Sequence, residues 1–163
     1  MAKFIATKKI FKTPELAKLF VEYLYKLYGL PADIVSDRDR MFNSRFWREV
    51  FKKLDTTQSM STANHPESDG QTERVNQILE DMLRSYVSKK QSNWEDYLPI
   101  LEFAYNSSKH SATGFTPFML MYGFQPRSPM TVGLEKEKIQ LVKDFLEDMN
   151  DMLKASRESI RSA

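Results

Sequence analysis

Three observations predict a helix-rich α/β fold for this chain. Short apolar, β-prone runs in the first part alternate with segments of helical periodicity, and after Gly70 only helical periodicity remains. With 163 residues, 41% of them apolar and 28% charged, the chain has the material for one well-filled core. No internal repeat or low-complexity tract interrupts that pattern.

In chain order, Phe4, Ile5, Ile10 and Phe11 flank Thr7 in a run that reads as a strand. Thr13 offers a helix cap and Pro14 a first helical position, and Leu16, Leu19, Phe20, Tyr23, Leu24 and Leu27 follow at helical spacing. Gly29 and Pro31 end that helix. Asp33-Ile34-Val35-Ser36-Asp37 is a short apolar run closed by polar residues, the pattern of a buried parallel strand emptying into a loop. A second helix starts from Asn43 or Ser44 and carries Phe46, Trp47, Val50, Phe51 and Leu54. Thr56 to Thr62 reads as a further strand.

Asn64 to Gly70 is a turn-rich loop, after which Val75, Ile78, Leu79, Met82, Leu83 and Tyr86 mark one face of a long helix. Trp94, Tyr97, Leu98, Leu101 and Tyr105 give another helix, with a loop from Ser107 to Gly114. A short helix begins near Thr116 with Pro117 at its first position and stops at Gly123. Val142, Phe145, Leu146, Met149 and Leu153 line a final charged amphipathic helix, whose seam either docks a partner helix or folds onto the chain's own core. Phe46, Trp47, Phe51, Tyr97 and Phe103 read as core aromatics.

Composition excludes several chemistries. Without cysteine there are no disulfides and no thiolate zinc sites, and His65 and His110 are the only histidines, so any metal would be held by carboxylates. No stretch approaches the roughly 18 apolar residues of a membrane span, and the lysine-rich start lacks a secretory apolar region, so the expectation is a soluble intracellular protein without membrane partners. A formal charge of +2 does not by itself argue for nucleic acid. The stretch from Lys3 to Lys12 holds no acid, which suits either a phosphate contact or a lysine-protected strand edge.

Two carboxylates stand where a sheet-based site would place them. Asp37 follows an apolar strand, and ligands of open α/β sheets gather beyond the carboxyl ends of strands. Glu73 lies in the first turns of the long helix on a polar face shared with Asn76, Gln77 and Glu80, facing either a ligand or water. Acids near helix starts are also common because the dipole favours them. Thirty-five residues lie between Asp37 and Glu73.

The words around both acids, Ile34-Val35-Ser36-Asp37-Arg38-Asp39, Phe46-Trp47 and His65-Pro66-Glu67-Ser68-Asp69-Gly70-Gln71-Thr72-Glu73-Arg74-Val75-Asn76, resemble gypsy-type retrotransposon integrases. The resemblance continues in order through Trp94, Tyr97-Leu98-Pro99, Glu102-Phe103-Ala104-Tyr105-Asn106, His110, Thr113-Gly114, Thr116-Pro117-Phe118, Tyr122-Gly123 and Pro126-Arg127. It implies an integrase catalytic core over residues 1–130, followed by a linker and amphipathic helix over 131–163.

The family's fold is RNase H-like, and its three acids hold two Mg²⁺ or Mn²⁺ ions that process element DNA ends and join them to target DNA. Such ions, about 3.5 to 4 Å apart, activate the attacking oxygen and stabilise the leaving one. Carboxylate oxygens suit Mg²⁺, which keeps several waters. By resemblance Asp37 is the second acid and Glu73 the third; Asp39 does not fit the spacing. The preceding loop would meet DNA through Asn64, His65, Gly70 and Gln71, with a structural role for His65 and helix capping by Asp69 as alternatives.

The family often has an aromatic where Asn64 stands, Gln-Thr where Glu67-Ser68 stand, and glycine where Asp55 stands. Losing the aromatic removes a surface for base stacking, and Glu67 adds negative charge beside a phosphate groove. The family's first aspartate lies on a strand upstream of the segment matching Phe4 to Phe11, and no acid precedes Glu15. The expectation is a partial RNase H-like fold lacking its first two strands, catalytically incomplete alone. Residues 3–11 would then lie beside residues 33–36, or the strands would stay largely unpaired. DNA, a homo-oligomeric partner and a nuclear location follow from the resemblance. A non-catalytic DNA-binding or multimerisation module is the alternative.

Overall fold

The computed structural model describes residues 1–8, 12–37, 39–60, 67–86, 93–129 and 140–162. They form two compact units, one made of Thr7–Arg74 and the other of Met1–Ala6 with Val75–Ala163. Helices dominate, and among the described residues the sheet consists of two parallel strands, an α/β arrangement.

In the Thr7–Arg74 unit the first helix begins one residue earlier than its apolar pattern suggested. Lys12 is the cap, with its backbone N–H donating to Glu15 Oε2 at 2.7 Å, and Thr13 already belongs to α1 (Thr13–Phe20). The axis runs on through a π turn (Val21–Tyr25) into α2 (Lys26–Tyr28). It stops at Gly29, whose φ of 77° a residue with a Cβ adopts only under strain.

Next come β1 (Asp33–Ser36), α3 (Arg45–Lys53) and β2 (Thr57–Met60), so a helix supplies the crossover that parallel strands require. The register pairs Asp33 with Thr57 and Ser36 with Met60. Ser44 caps α3, its hydroxyl accepting from the Trp47 N–H at 3.4 Å. At the other end Asp55 adopts φ 54°, and the Thr56 N–H donates back to the Phe51 carbonyl at 2.9 Å, the six-to-one bond of a Schellman closure. That turn delivers the Thr57 N–H to the Ala32 carbonyl at 2.9 Å and starts the β1–β2 ladder.

Trp47 and Phe51, one helical turn apart on α3, stack at 4.9 Å, and Phe20 meets both edge-on at 5.7 and 6.4 Å. Trp47 and Phe51 are the buried centre of the unit, and Phe20 packs against them half-buried. Phe46 corrects the core reading: it is 44% exposed, with an edge contact to Trp47 at 5.6 Å. Its neighbour in sequence takes the inward position on the helix.

The other unit is helical. Its elements are α4 (Glu67–Tyr86) from Val75 onward, a 3₁₀ turn (Trp94–Tyr97), α5 (Leu98–Asn106), α6 (Pro117–Tyr122) and α7 (Gln140–Ser162). Ile78, Met82, Leu101 and Tyr105 form its core, with Val75, Leu79, Leu83, Tyr97 and Ile160 packed around them. The α4 stripe is the one its periodicity predicts. Thr116 caps α6, accepting from the Met119 N–H at 3.1 Å, and Gly123 ends it at φ 75°. The α7 seam folds onto α5, with Leu153 and Ser156 fully buried, while Val142 and Phe145 near its start stay exposed.

The predicted strand over Phe4 to Phe11 is not found in its described part. Residues 1–8 carry no ladder, and residues 9–11 lie outside the described residues. Met1–Ala6 packs on the helical core through Ala2 and Phe4, and side chains of α5 take the place of a neighbouring strand.

Candidate functional site

Asp37 follows directly on β1, at the carboxyl end of a strand in a β–α–β unit. Its carboxylate is exposed and engaged with its own loop: Oδ1 accepts from the Asp39 N–H at 3.2 Å, and Asp39 Oδ1 accepts from the Met41 N–H at 2.7 Å. Two successive aspartate turns thus shape the exit from β1. The Asn43 N–H donates to the Asp39 carbonyl at 3.0 Å, which leads the chain to the Ser44 cap. Asp39, the alternative acid, is also exposed, and its side chain serves this turn.

Glu73 lies in the second turn of α4 and is exposed, as are Gln71, Asn76, Gln77 and Glu80. The polar face predicted from spacing is therefore real, and a carboxylate on it is accessible. Asp37 and Glu73 fall in the same compact unit, Thr7–Arg74. Among the described residues, no group of three or more His, Cys, Asp or Glu side chains is placed to hold a metal ion.

The segment before Glu73 differs from its reading as a loop. Helix α4 already begins at Glu67, so Gly70 is an intrahelical residue and not a hinge. Among the described residues, nothing lies within 4 Å of a Cβ built on Gly70. Asn64 and His65 lie outside the described residues. His110 serves the fold: its ring meets Tyr105 edge-on at 4.7 Å, and its carbonyl accepts from the Thr113 and Gly114 N–H groups at 3.2 and 2.8 Å.

The sequence reading left Glu102 and Asn106 without a role. Asn106 is 1% exposed; its Oδ1 accepts from the Ala2 N–H at 2.8 Å and its Nδ2 donates to the Ala2 carbonyl at 2.9 Å. Glu102 Oε2 accepts from the Phe4 N–H at 3.0 Å, and Oε1 pairs with the Lys3 ammonium. Two polar residues four apart in an otherwise apolar helix were the available signal, since a buried polar side chain requires a partner.

Among the described residues no helix is long and apolar enough to cross a membrane. No family model matches the chain. The chain is 32% identical over 126 residues, 77% of its length, to the Transposon Tf2-3 polyprotein of Schizosaccharomyces pombe. The Tf2-4 and Tf2-5 polyproteins of the same organism match it to the same extent. The match covers 10% of the length of these curated relatives. Over most of its length, the chain therefore corresponds to a region of a retrotransposon polyprotein.

Proposed function

We propose that this region is part of an integrase catalytic core of RNase H-like fold, whose parent activity is metal-dependent joining of DNA 3′ ends. The observation that carries the reading is the placement of Asp37 at the carboxyl end of β1 and of Glu73 on an exposed helical face in the same unit. The ordered words shared with gypsy-type integrases and the similarity to the Tf2 polyproteins support it.

The donors suit Mg²⁺ or Mn²⁺ in kind, since both are hard carboxylate oxygens open to solvent. They do not complete a site, because no third acid joins them among the described residues. Asp37 and Glu73 would supply two ligands, and bound ions would contribute charge stabilisation at the attacking and leaving oxygens. Gln71 and Gly70, with Asn64 and His65, are the proposed contacts to element and target DNA, and the setting is nuclear.

With two of the three acids present, the isolated chain is expected to give no strand transfer on a labelled DNA end in Mg²⁺ or Mn²⁺. Fusing it to the Tf2-3 segment that precedes the matched region should create metal-dependent joining. In that fusion Asp37→Asn or Glu73→Gln should each lower the rate about 100-fold or more. Joining that is indifferent to both substitutions would sink the assignment.

A second reading, a non-catalytic DNA-binding or multimerisation module, is favoured by the exposed apolar run that includes Val21, Leu27 and Leu30. Salt-dependent DNA binding that survives both carboxylate substitutions, with no joining by the fusion, would select it.

A further inference from the structure

The contacts of Met1–Ala6 amount to a recognition site for an extended segment. Asn106 and Glu102 stand four residues apart on α5, a rise of about 6 Å, while alternate residues of an extended chain are spaced about 6.6 Å. The two side chains can therefore address the backbone at residues 2 and 4 in register, running antiparallel to the helix. Asn106 presents its amide to Ala2 as a peptide group of a neighbouring strand would, donating and accepting at once. Glu102 receives the Phe4 N–H on one oxygen and the Lys3 ammonium on the other.

The side chains add selectivity. Ala2 and Phe4 pack on the core of Ile78, Met82, Leu101 and Tyr105, and the Phe4 ring meets Tyr105 edge-on at 5.9 Å. The Lys3–Glu102 pair is largely shielded, with side-chain exposures of 24% and 18%. The α5 face thus reads small, lysine and aromatic residues at three successive positions of an extended chain.

Segment and receptor belong to one compact unit, yet the whole of Thr7–Arg74, a separate unit, lies between them in the chain. We propose that Met1–Ala6 is an exchangeable arm, bound in cis on the Glu102/Asn106 face of α5 and bound in trans by the same face of a second copy. Every bond broken on release is remade by an identical partner, so concentration and the connecting chain decide between the two states. A second copy is the occupant that the geometry specifies, because its arm carries the same small–lysine–aromatic sequence.

The test uses two full-length charge-reversal variants, Lys3→Glu and Glu102→Lys. Each mismatches its own arm and receptor, whereas in the mixed dimer the arm of the Glu102→Lys chain meets the native receptor of the Lys3→Glu chain. The other arm and receptor are then also of opposite charge. Each variant alone should be monomeric by sedimentation, and the equimolar mixture should form a heterodimer at a concentration about ten-fold below that at which either self-associates.

An excess of two peptides of residues 1–8 added together, one native and one carrying Lys3→Glu, should dissociate the heterodimer, because each receptor takes the arm of opposite charge. A labelled form of the native peptide should bind the Lys3→Glu chain about ten-fold more tightly than the Glu102→Lys chain. Circular dichroism of both variants establishes that they fold; if either does not, Lys3→Ala and Glu102→Gln replace them in the peptide measurement. A mixture that stays monomeric overturns the exchange, as does a dimer that the two peptides together fail to dissociate. Equal peptide binding by receptor-intact and receptor-altered chains overturns the recognition site itself.

Discussion

Asp55 shows how a single backbone angle governs the passage from α3 into β2. At φ 54° it occupies the left-handed region, and the Schellman bond from Thr56 to Phe51 depends on it. Aspartate tolerates that region better than most residues, and glycine tolerates it without strain. Asp55→Ala is therefore expected to cost about 1 kcal/mol and Asp55→Gly to be neutral or stabilising, read from urea unfolding midpoints. Asn106 is the counterpart in the helical unit: Asn106→Ala would strand the N–H and carbonyl of Ala2, costing about 1–3 kcal/mol in the same assay. The position of Asp37 just after β1 was legible from sequence because an apolar run followed by polar residues marks a strand end. Gly70 was misread because Pro66, Ser68 and Asp69 favour turns and helix starts alike.

The elements divide by how local their determinants are. The stripe on α4 and the cap and stop of α6 are set by residues within a few turns, and the structure follows the sequence there. The α4 stripe also contributes to the core of the helical unit. Met82 is fully buried against Leu101 and Tyr105, so Met82→Ala should cost about 2–5 kcal/mol and raise amide exchange in α5 and α7 as well as in α4. Exchange confined to α4 would contradict a shared core. Phe4 and Ile5 have strand propensity, but a strand exists only where a ladder partner is offered. The Asn106 and Glu102 side chains, about a hundred residues away in sequence, supply the bonds instead. No local pattern encodes that substitution. The α7 seam likewise left two destinations open until α5 was seen to receive it.

At the scale of the whole chain, burial is uneven. The π turn, α2 and the residue after Gly29 leave Val21, Tyr25, Leu27 and Leu30 between 47% and 53% exposed, and Val35 on β1 is as open. Apolar surface gathered in this way promotes association. Leu27→Lys with Leu30→Lys is expected to reduce binding of a hydrophobic dye and concentration-dependent sedimentation, while shifting unfolding stability by no more than about 0.5 kcal/mol. An unchanged dye signal would show that this run is not the sticky surface. Another consequence follows from the convergence of Ala2, Phe4 and Ile160 on one core. Residues from opposite ends of the numbering meet there, so chain order and spatial order need not agree. A circular permutant that starts near Glu67, runs through α7 and continues by a short glycine–serine linker into Met1–Ala6 would turn a discontinuous unit into one unbroken polypeptide. Cooperative thermal unfolding of that permutant is the expected outcome.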